Sequence, residues 1–281
     1  MDLRKKGTAI AKAYQPNEKI AGILIAGSVS RGWDDAFSDI EMYVLWKEPP
    51  SDEDRLAPIS AVNGQIMDFY PFEDNEWSET YVVDGIKLEL SHFLVRYIDQ
   101  VETEVLEQFD TDKEKQCLLA GIQDGLLLYG EKDVQVLKER VGHYPDALGM
   151  QMVKENLAFS PRWNSRYVLA EREDLFILYD LINDTVEKLL AILHGLNRKY
   201  VAHPRWKWLK QTVQEMKYVP HQFVARLDKL YKAPTANAIK DLENMILETF
   251  ALISSVYPDL NISTWKDEWM KTRPTLAERD G

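Results

Sequence analysis

Two acidic residues separated by one apolar residue, Asp39 and Glu41, open an apolar run in the N-terminal part of the chain. Residues two apart in an extended strand project from the same face, so the two carboxylates are predicted to lie side by side. Neighbouring carboxylates repel each other and raise each other's pKa unless a cation lies between them. Hard oxygen ligands, with phosphate completing the shell, are what Mg²⁺ prefers. The pair therefore predicts a site for magnesium and a phosphate-bearing ligand.

A glycine-serine pair, Gly27 and Ser28, follows the apolar segment 21–26 and precedes the acidic pair. Glycine lets phosphate oxygens approach the backbone, and both the turn amides and the Ser28 hydroxyl can donate hydrogen bonds to them. Ser30 and Arg31, in the same loop, are further candidates for holding a triphosphate. A plain turn and a solvent-exposed acidic pair would each be ordinary, but their order and spacing together favour a functional site.

Gly27-Ser28, ten intervening residues and Asp39-Ile40-Glu41 resemble the motif of the nucleotidyltransferase superfamily typified by DNA polymerase beta. The resemblance is to the bacterial aminoglycoside and lincosamide nucleotidyltransferases and their uncharacterised relatives. Many members have Asp at both acidic positions, whereas this chain has Glu41 at the second. The resemblance implies an α+β fold: an N-terminal nucleotidyltransferase-type mixed β-sheet with flanking helices, followed by an all-helical C-terminal domain.

The same resemblance implies a Mg²⁺-dependent adenylyltransferase. Such an enzyme moves AMP from ATP to a hydroxyl of a small molecule, with two Mg²⁺ ions bound at Asp39 and Glu41. The candidate acceptor is an aminoglycoside or lincosamide antibiotic. Two alternatives stay open. One is a non-catalytic, antitoxin-like binding module with the same fold, and the other is a protein AMP-transferase.

Superfamily enzymes also place a third carboxylate on a strand beside the acidic pair, as a metal ligand, a general base or both. Glu89 lies in the alternating stretch 86–90, where it shares a face with Lys87. Asp68, between two apolar residues, offers the same local pattern. We favour Glu89 because its strand leads directly into the helical half, as the resemblance implies. His92, three residues further on, is expected to approach the site.

Acidic residues in the helical half are candidates for binding a cationic substrate. Glu173, Asp180 and Asp184 are spaced by close to four residues on a helix predicted over 164–199, so they could share one face. A solvated helix face is the more ordinary interpretation of the same pattern.

A lysine in this half, Lys207, is a candidate for binding the nucleotide triphosphate. It lies in a stretch with Asn197, Tyr200 and Pro204, followed by Trp208 and Leu209. This arrangement resembles one in the helical domains of related nucleotidyltransferases, and a lysine at the start of a helix can bind phosphate as a point charge.

Composition sets limits on the class of protein. The chain has 281 residues, of which 45% are hydrophobic and 28% charged, as in globular proteins. The net charge of -12 argues against a nucleic-acid binder and suits a cationic acceptor, although many proteins are acidic for solubility. The lone Cys117 excludes an internal disulfide and a thiolate zinc site. No apolar run reaches the length of a membrane span, so we expect a cytoplasmic protein that does not bind membranes.

Periodicity predicts the order of the elements. A helix over 3–18 precedes strands at 21–26 and 39–46, a short helix near 51–61, a strand at 64–72 and a hairpin that turns at Asp84-Gly85. Helices then follow over 94–109, 112–128, 133–141, 147–159, 164–199, 205–216, 220–232 and 235–256. The change from mixed strand and helix patterns to purely helical periodicity predicts a catalytic domain over 1–110 and a helical substrate-binding domain over 111–281.

Overall fold

The computed structural model describes residues 2–273, and they form an N-terminal mixed sheet followed by a helical region. The strands are β1 Ile20–Ile25, β2 Ile40–Trp46, β3 Gln65–Glu73, β4 Glu76–Val83, β5 Ile86–Leu94 and β6 Leu126–Tyr129. The first six helices are α1 Leu3–Ala11, α2 Gly27–Arg31, α3 Asp52–Ala61, α4 Val95–Glu102, α5 Lys113–Asp124 and α6 Glu131–Val141. The next seven are α7 Asp146–Asn156, α8 Arg166–Glu171, α9 Leu175–Asn197, α10 Leu209–Gln214, α11 Phe223–Lys232, α12 Ala236–Val256 and α13 Ser263–Met270.

The sheet has the strand order β3-β4-β5-β2-β1-β6. Strands β2 and β5 are parallel, whereas every other neighbouring pair is antiparallel. The parallel pair needs a long connection, and α3 with the β3-β4 hairpin supplies it. The α+β class and the mixed sheet expected from the sequence are thereby confirmed.

The alternation in β2 separates an apolar core face from the face that carries the Glu41 carboxylate. Ile40, Met42, Val44 and Trp46 are all fully buried in the core that α1 shares with the sheet. The intervening residues of the strand, beginning with Glu41, therefore project from the opposite face. Burying one large apolar side chain contributes roughly 1.5–3 kcal/mol, so this alternation fixes the register and with it the direction of the carboxylate.

Part of the predicted helix over 112–128 is a strand. Helix α5 ends at Asp124, and Leu126–Tyr129 form β6, which pairs with the free edge of β1. A Cβ atom at Gly125 would lie 2.9 Å from Cδ2 of Leu24, so a glycine allows the chain to turn closely against β1. The helical prediction was wrong for this segment because pairing with a distant strand outweighs local propensity.

The predicted helix over 164–199 is interrupted. A 3₁₀ turn at Pro161–Ser165 and α8 come first, and α9 begins only at Leu175. Between α8 and α9, Glu173 adopts a positive φ of 55°, and the amide of Asp174 donates to the carbonyl of Leu169 at 3.0 Å. This left-handed ending satisfies carbonyls at the end of α8 and breaks the helix at an exposed glutamate.

The chain divides into two compact units. The first contains the residues up to Tyr144 together with 202–204, and the second contains 145–201 and the residues from Arg205 onward. The sequence places the change of class near 110, but α5 and α6 belong with the first unit because β6, which lies between them, is a strand of the N-terminal sheet. Among the described residues, no helix is long and apolar enough to cross a membrane.

Candidate active site

Two glutamates face each other on the parallel strands of the sheet. Glu41 of β2 and Glu89 of β5 are partners in the strand register. Neighbouring strands lie about 4.8 Å apart and paired residues share a face, so both carboxylates project from the same face of the sheet, opposite the apolar core face. Asp39 immediately precedes β2 and is the residue two positions before Glu41 on the same side. The structure thus brings together the three carboxylates that the sequence singled out.

A lysine lies within this group of carboxylates. The Nζ atom of Lys87 donates a hydrogen bond to Glu89 and lies 3.6 Å from Oδ2 of Asp39. Hydrogen bonding to Glu89, with the nearby Asp39 charge, raises the pKa of the Lys87 ammonium above its ordinary value. The lysine therefore supplies a positive charge that two adjacent carboxylates need when no other cation is bound.

Asp68, the rival for the third carboxylate, lies further away in the sheet. It is on β3, where it pairs with Thr80 of β4, and Thr80 pairs with Glu89. Asp68 is therefore two strands beyond Glu89 and three beyond Glu41, or about 14 Å from the latter at the usual strand spacing. The geometry favours Glu89 as the partner of the acidic pair.

Gly27 lies directly against the Glu41 carboxylate. A Cβ atom at position 27 would lie 2.5 Å from Cδ of Glu41, and Gly27 has a positive φ of 64°. The amide of Ala26 also donates to the backbone carbonyl of Glu41 at 2.9 Å. Both the conformation and the contact require glycine at this position. The glycine of the predicted phosphate loop thus determines where the carboxylate can lie.

The serines of the loop are engaged within it. Ser28 is buried, and its hydroxyl lies 3.5 Å from that of Ser38, which accepts a hydrogen bond from the amide of Asp35 at 2.9 Å. The Ser30 hydroxyl donates to the carbonyl of Gly27 at 3.0 Å. These contacts connect the start of α2 to the segment that leads into Asp39. The serines therefore position the loop and the acidic pair relative to each other.

Arg31 makes an ion pair instead of pointing freely toward the carboxylates. Its Nε donates to Oδ2 of Asp124 on α5 at 2.9 Å, and its guanidinium lies 5.5 Å from the centre of the Trp33 ring. Only 10% of the side chain is exposed. A triphosphate would have to compete with Asp124 for this arginine.

A cavity of about 450 Å³ opens beside the start of β2. Asp39 and Lys87 line one side, and Asp34, Asp35 and Phe37 of the preceding loop line another. Phe37 is 96% exposed, so its ring is available to contact a bound molecule. The volume lies within the range of small-molecule sites, and the cavity therefore places space for a ligand next to the acidic pair.

The carboxylates provide the right donor type for Mg²⁺, which favours oxygen ligands. Their arrangement is nevertheless not that of a preformed centre. Within residues 2–273, no group of three or more His, Cys, Asp or Glu side chains is positioned to hold a metal ion. Lys87, which pairs with Asp39 and Glu89, would have to move for these carboxylates to face an ion. The residues fit the ion in chemistry and strand placement, and the fit depends on displacing this lysine.

His92 lies away from the site, contrary to the expectation that it approaches it. It is fully buried on the core face, where its Nδ1 accepts a hydrogen bond from the Trp46 indole at 2.9 Å. Since an indole can only donate, the neutral ring carries its proton on Nε2 and donates it to Glu79. Glu79 in turn accepts two hydrogen bonds from the buried guanidinium of Arg55. This network ties β2, β4, β5 and α3 together on the core face of the sheet.

The candidates in the second unit have separate surroundings. Glu173 lies in the break between α8 and α9, so it does not share a helical face with Asp180 and Asp184. Asp180 is exposed, and Asp184 accepts a hydrogen bond from Lys188 at 3.1 Å. Lys207 is exposed in the turn before α10.

Comparisons with known proteins give one partial family match and a distant structural likeness. A family model described as a domain of unknown function, DUF4037, matches residues 112–209, which is less than half of the chain. No curated protein matches the sequence. Solved structures similar to this chain include a nucleotidyltransferase-like protein from Exiguobacterium sibiricum. It is 12% identical with a TM-score of 0.41, over 98% of this chain and 83% of that one. This degree of likeness does not establish a shared function.

Proposed function

We propose that this protein is a Mg²⁺-dependent nucleotidyltransferase that moves AMP from ATP to a hydroxyl of a small molecule. The observation that carries the proposal is the in-register pair Glu41 and Glu89 with Asp39 beside it, and with Gly27 directly beneath Glu41. Carboxylates on adjacent strands next to a glycine that admits close approach provide the two halves of a metal and phosphate site. The proposed location is the cytoplasm, and the lone cysteine is compatible with it.

Each residue of the group has a role in this proposal. Asp39 and Glu41 would hold the metal, which when bound supplies charge neutralisation at the transferred phosphate and the leaving pyrophosphate. Glu89, with 45% of its side chain exposed, can receive the proton of the acceptor hydroxyl or complete the metal site. Lys87 would leave the carboxylates and offer its charge to the triphosphate.

The nucleotide would be held by the loop. The backbone at Gly27 and Ser28 can approach phosphate oxygens, whereas Ser30 and Arg31 would first have to exchange the partners they have within the protein. Lys207 of the second unit is proposed as a further phosphate ligand because it is exposed and cationic.

The proposed acceptor is a cationic small molecule such as an aminoglycoside, with a lincosamide as the other candidate. The net charge of -12 supports attraction of a cation, and Asp180 and Asp184 on α9 are proposed contacts, with Glu173 in the preceding turn.

One observation favours a second candidate, a non-catalytic binding module. Lys87 already pairs with Asp39 and Glu89, so part of the negative charge of the acidic group is compensated without any metal. A protein that kept the fold and lost turnover would benefit from such an internal cation. The two candidates differ in whether bound ATP is turned over with release of pyrophosphate.

The test is adenylyl transfer with labelled ATP, Mg²⁺ and a panel of aminoglycosides and lincosamides. We expect a labelled acceptor and pyrophosphate from the wild-type chain, and a loss of at least about a hundredfold for Asp39→Asn and Glu41→Gln. Asp68→Asn is the matched control, because it removes a carboxylate of the same sheet at a distance from the pair, and it should retain activity. Binding of ATP without pyrophosphate release from any acceptor would favour the binding module.

A further inference from the structure

A second cavity, of about 500 Å³, lies at the other end of β2. It is bounded by the start of β1, the end of β2 and helices α4 and α6, all within the first unit. Leu45 and Lys47 line it, whereas the acidic pair lies at the opposite end of the same strand. Leu45 is six positions after Asp39, or about 20 Å along an extended strand, so the cavity is distinct from the carboxylate site.

The floor of this cavity is apolar. Its apolar lining residues are Ala21, Leu45, Val95, Val134, Val136 and Leu137. Leu45 and Val134 are fully buried, whereas Val136, at the rim, is 51% exposed. Covering such a surface with an apolar group is favourable, by about 25 cal/mol per Å² of apolar area removed from water.

The rim of the cavity is cationic, in contrast to the whole chain. Lys47, Arg96, Lys132 and Arg140 line it together with two carboxylates, those of Asp99 and Asp133. The lining therefore has an excess of positive charge in a protein whose net charge is -12. A positively charged rim around an apolar floor favours an anionic ligand with an apolar part.

Two of these cations have no partner within the described residues. Arg140 is engaged, since its Nη2 lies 2.6 Å from carboxylate oxygens of both Asp99 and Glu102. Lys47 donates to the carbonyl of Glu18 at 3.1 Å. Arg96 and Lys132 are exposed and make neither a hydrogen bond nor an ion pair in residues 2–273. They are therefore free to bind a ligand without first breaking a contact.

We propose that this cavity binds a small organic carboxylate with an apolar chain of medium length. The carboxylate would pair with the Arg96 guanidinium, whose planar fork suits two parallel hydrogen bonds, with Lys132 adding its charge. The chain would lie on the apolar floor against Val136 and the buried residues below it. Charge and apolar surface at one site would together select a fatty-acid-like molecule over a purely polar anion.

The experiment is calorimetric titration of the full chain with octanoate, acetate and octylamine at one ionic strength. We expect octanoate to bind at least about a hundredfold more tightly than acetate because of its longer chain, and octylamine not to bind the cavity. Arg96→Glu should weaken octanoate binding by at least about tenfold. Arg172→Glu, an equal charge change at an exposed residue of the second unit, should leave it unchanged.

A further variant separates the apolar contribution from the charge. Val136→Ser should weaken the binding of octanoate and leave the binding of acetate unaffected. Because Val136 is half exposed, the substitution should not impair folding. Equal affinity for octanoate and acetate, equal binding of octylamine, or unchanged octanoate binding in Arg96→Glu would each overturn the proposal. None of these outcomes bears on adenylyl transfer, so the two proposals fail independently.

Discussion

At the scale of the residue, Lys87 decides how the acidic group behaves, because it pairs with two of the three carboxylates. Lys87→Met keeps much of the side chain and removes the competing charge. We therefore expect the affinity for Mg²⁺ to rise by a few-fold to about tenfold, measured by calorimetry or by paramagnetic resonance with Mn²⁺. Lys5→Met is the control, since the ion pair that Lys5 makes within residues 2–273 is with Asp2, away from the acidic group. Affinity that is unchanged or lower in Lys87→Met would count against metal binding at these carboxylates.

Glu102 gives a second prediction at the same scale. Its side chain is 6% exposed, one carboxylate oxygen pairs with Arg140, and the other lacks a hydrogen-bond partner among the described residues. Burial raises its pKa from 4.5 to about 7. The folded state therefore keeps its proton between these values while the unfolded state releases it, and the free energy of unfolding decreases as pH rises through this window.

Glu102→Gln should remove this decrease. We expect the stability of the variant relative to wild type to increase by up to about 3 kcal/mol between pH 4.5 and pH 7.5. Urea denaturation at several pH values measures the difference. A difference that does not vary with pH would show that Glu102 is ionised in the folded protein throughout.

At the scale of the element, the turn from β1 into α2 must position Glu41. Gly27→Ala places a methyl group 2.5 Å from the Glu41 carboxyl carbon and forces alanine to a φ of 64°. We expect a loss of stability of about 1–2 kcal/mol from the backbone and a loss of Mg²⁺ affinity of at least about tenfold from the displaced carboxylate.

A matched control exists in the β4-β5 turn. Gly85 also has a positive φ, of 78°, but a Cβ atom there would meet nothing within 4 Å. Gly85→Ala should therefore cost similar stability and leave Mg²⁺ affinity unchanged. Equal Mg²⁺ affinity in the two variants would contradict a specific role for Gly27 beneath Glu41.

Elements whose pattern is local could be predicted from the sequence. The structure places strands β1 and β2 and the turn at Asp84 and Gly85 within a residue or two of their predicted positions. Their hydrophobic pattern and turn residues lie within the elements themselves, so a short stretch of sequence is enough to identify them. Strand β6 could not be predicted, since its pairing with β1 joins segments about a hundred residues apart. The break at Glu173 was missed because a left-handed glutamate has no sequence pattern.

The same distinction applies to the site. Asp39, Glu41 and the Gly27 turn are close in sequence, so their chemistry could be predicted from the local pattern. The strand of Glu89 could also be identified, but its register with Glu41 could not. The buried contacts of His92 with Trp46 and Glu79 join three strands, and only the folded sheet reveals them. The ion pair of Arg31 with Asp124 likewise depends on how α5 packs.

At the scale of the whole molecule, two buried groups should make the units respond oppositely to pH. Glu102 belongs to the first unit and His194 to the second. His194 is buried and its Nδ1 donates to the carbonyl of Leu190 at 2.8 Å, while burial lowers its pKa from 6.5 to about 4. Between these values the unfolded state binds a proton that the folded state does not. The stability that His194 contributes is therefore lost as pH falls from 6.5 toward 4.

Lowering the pH from 7.5 to 5 should thus weaken the His194 contribution by up to about 2 kcal/mol and strengthen that of Glu102 by a similar amount. Hydrogen exchange followed by mass spectrometry, corrected for intrinsic rates, resolves the two units by their peptides. Core peptides of α9 should lose protection at pH 5 in wild type and less so in His194→Gln, whereas peptides of α4 should gain it in wild type and not in Glu102→Gln. If each variant shifted with pH as wild type does, the protonation of these two groups would not be coupled to the opening of their units.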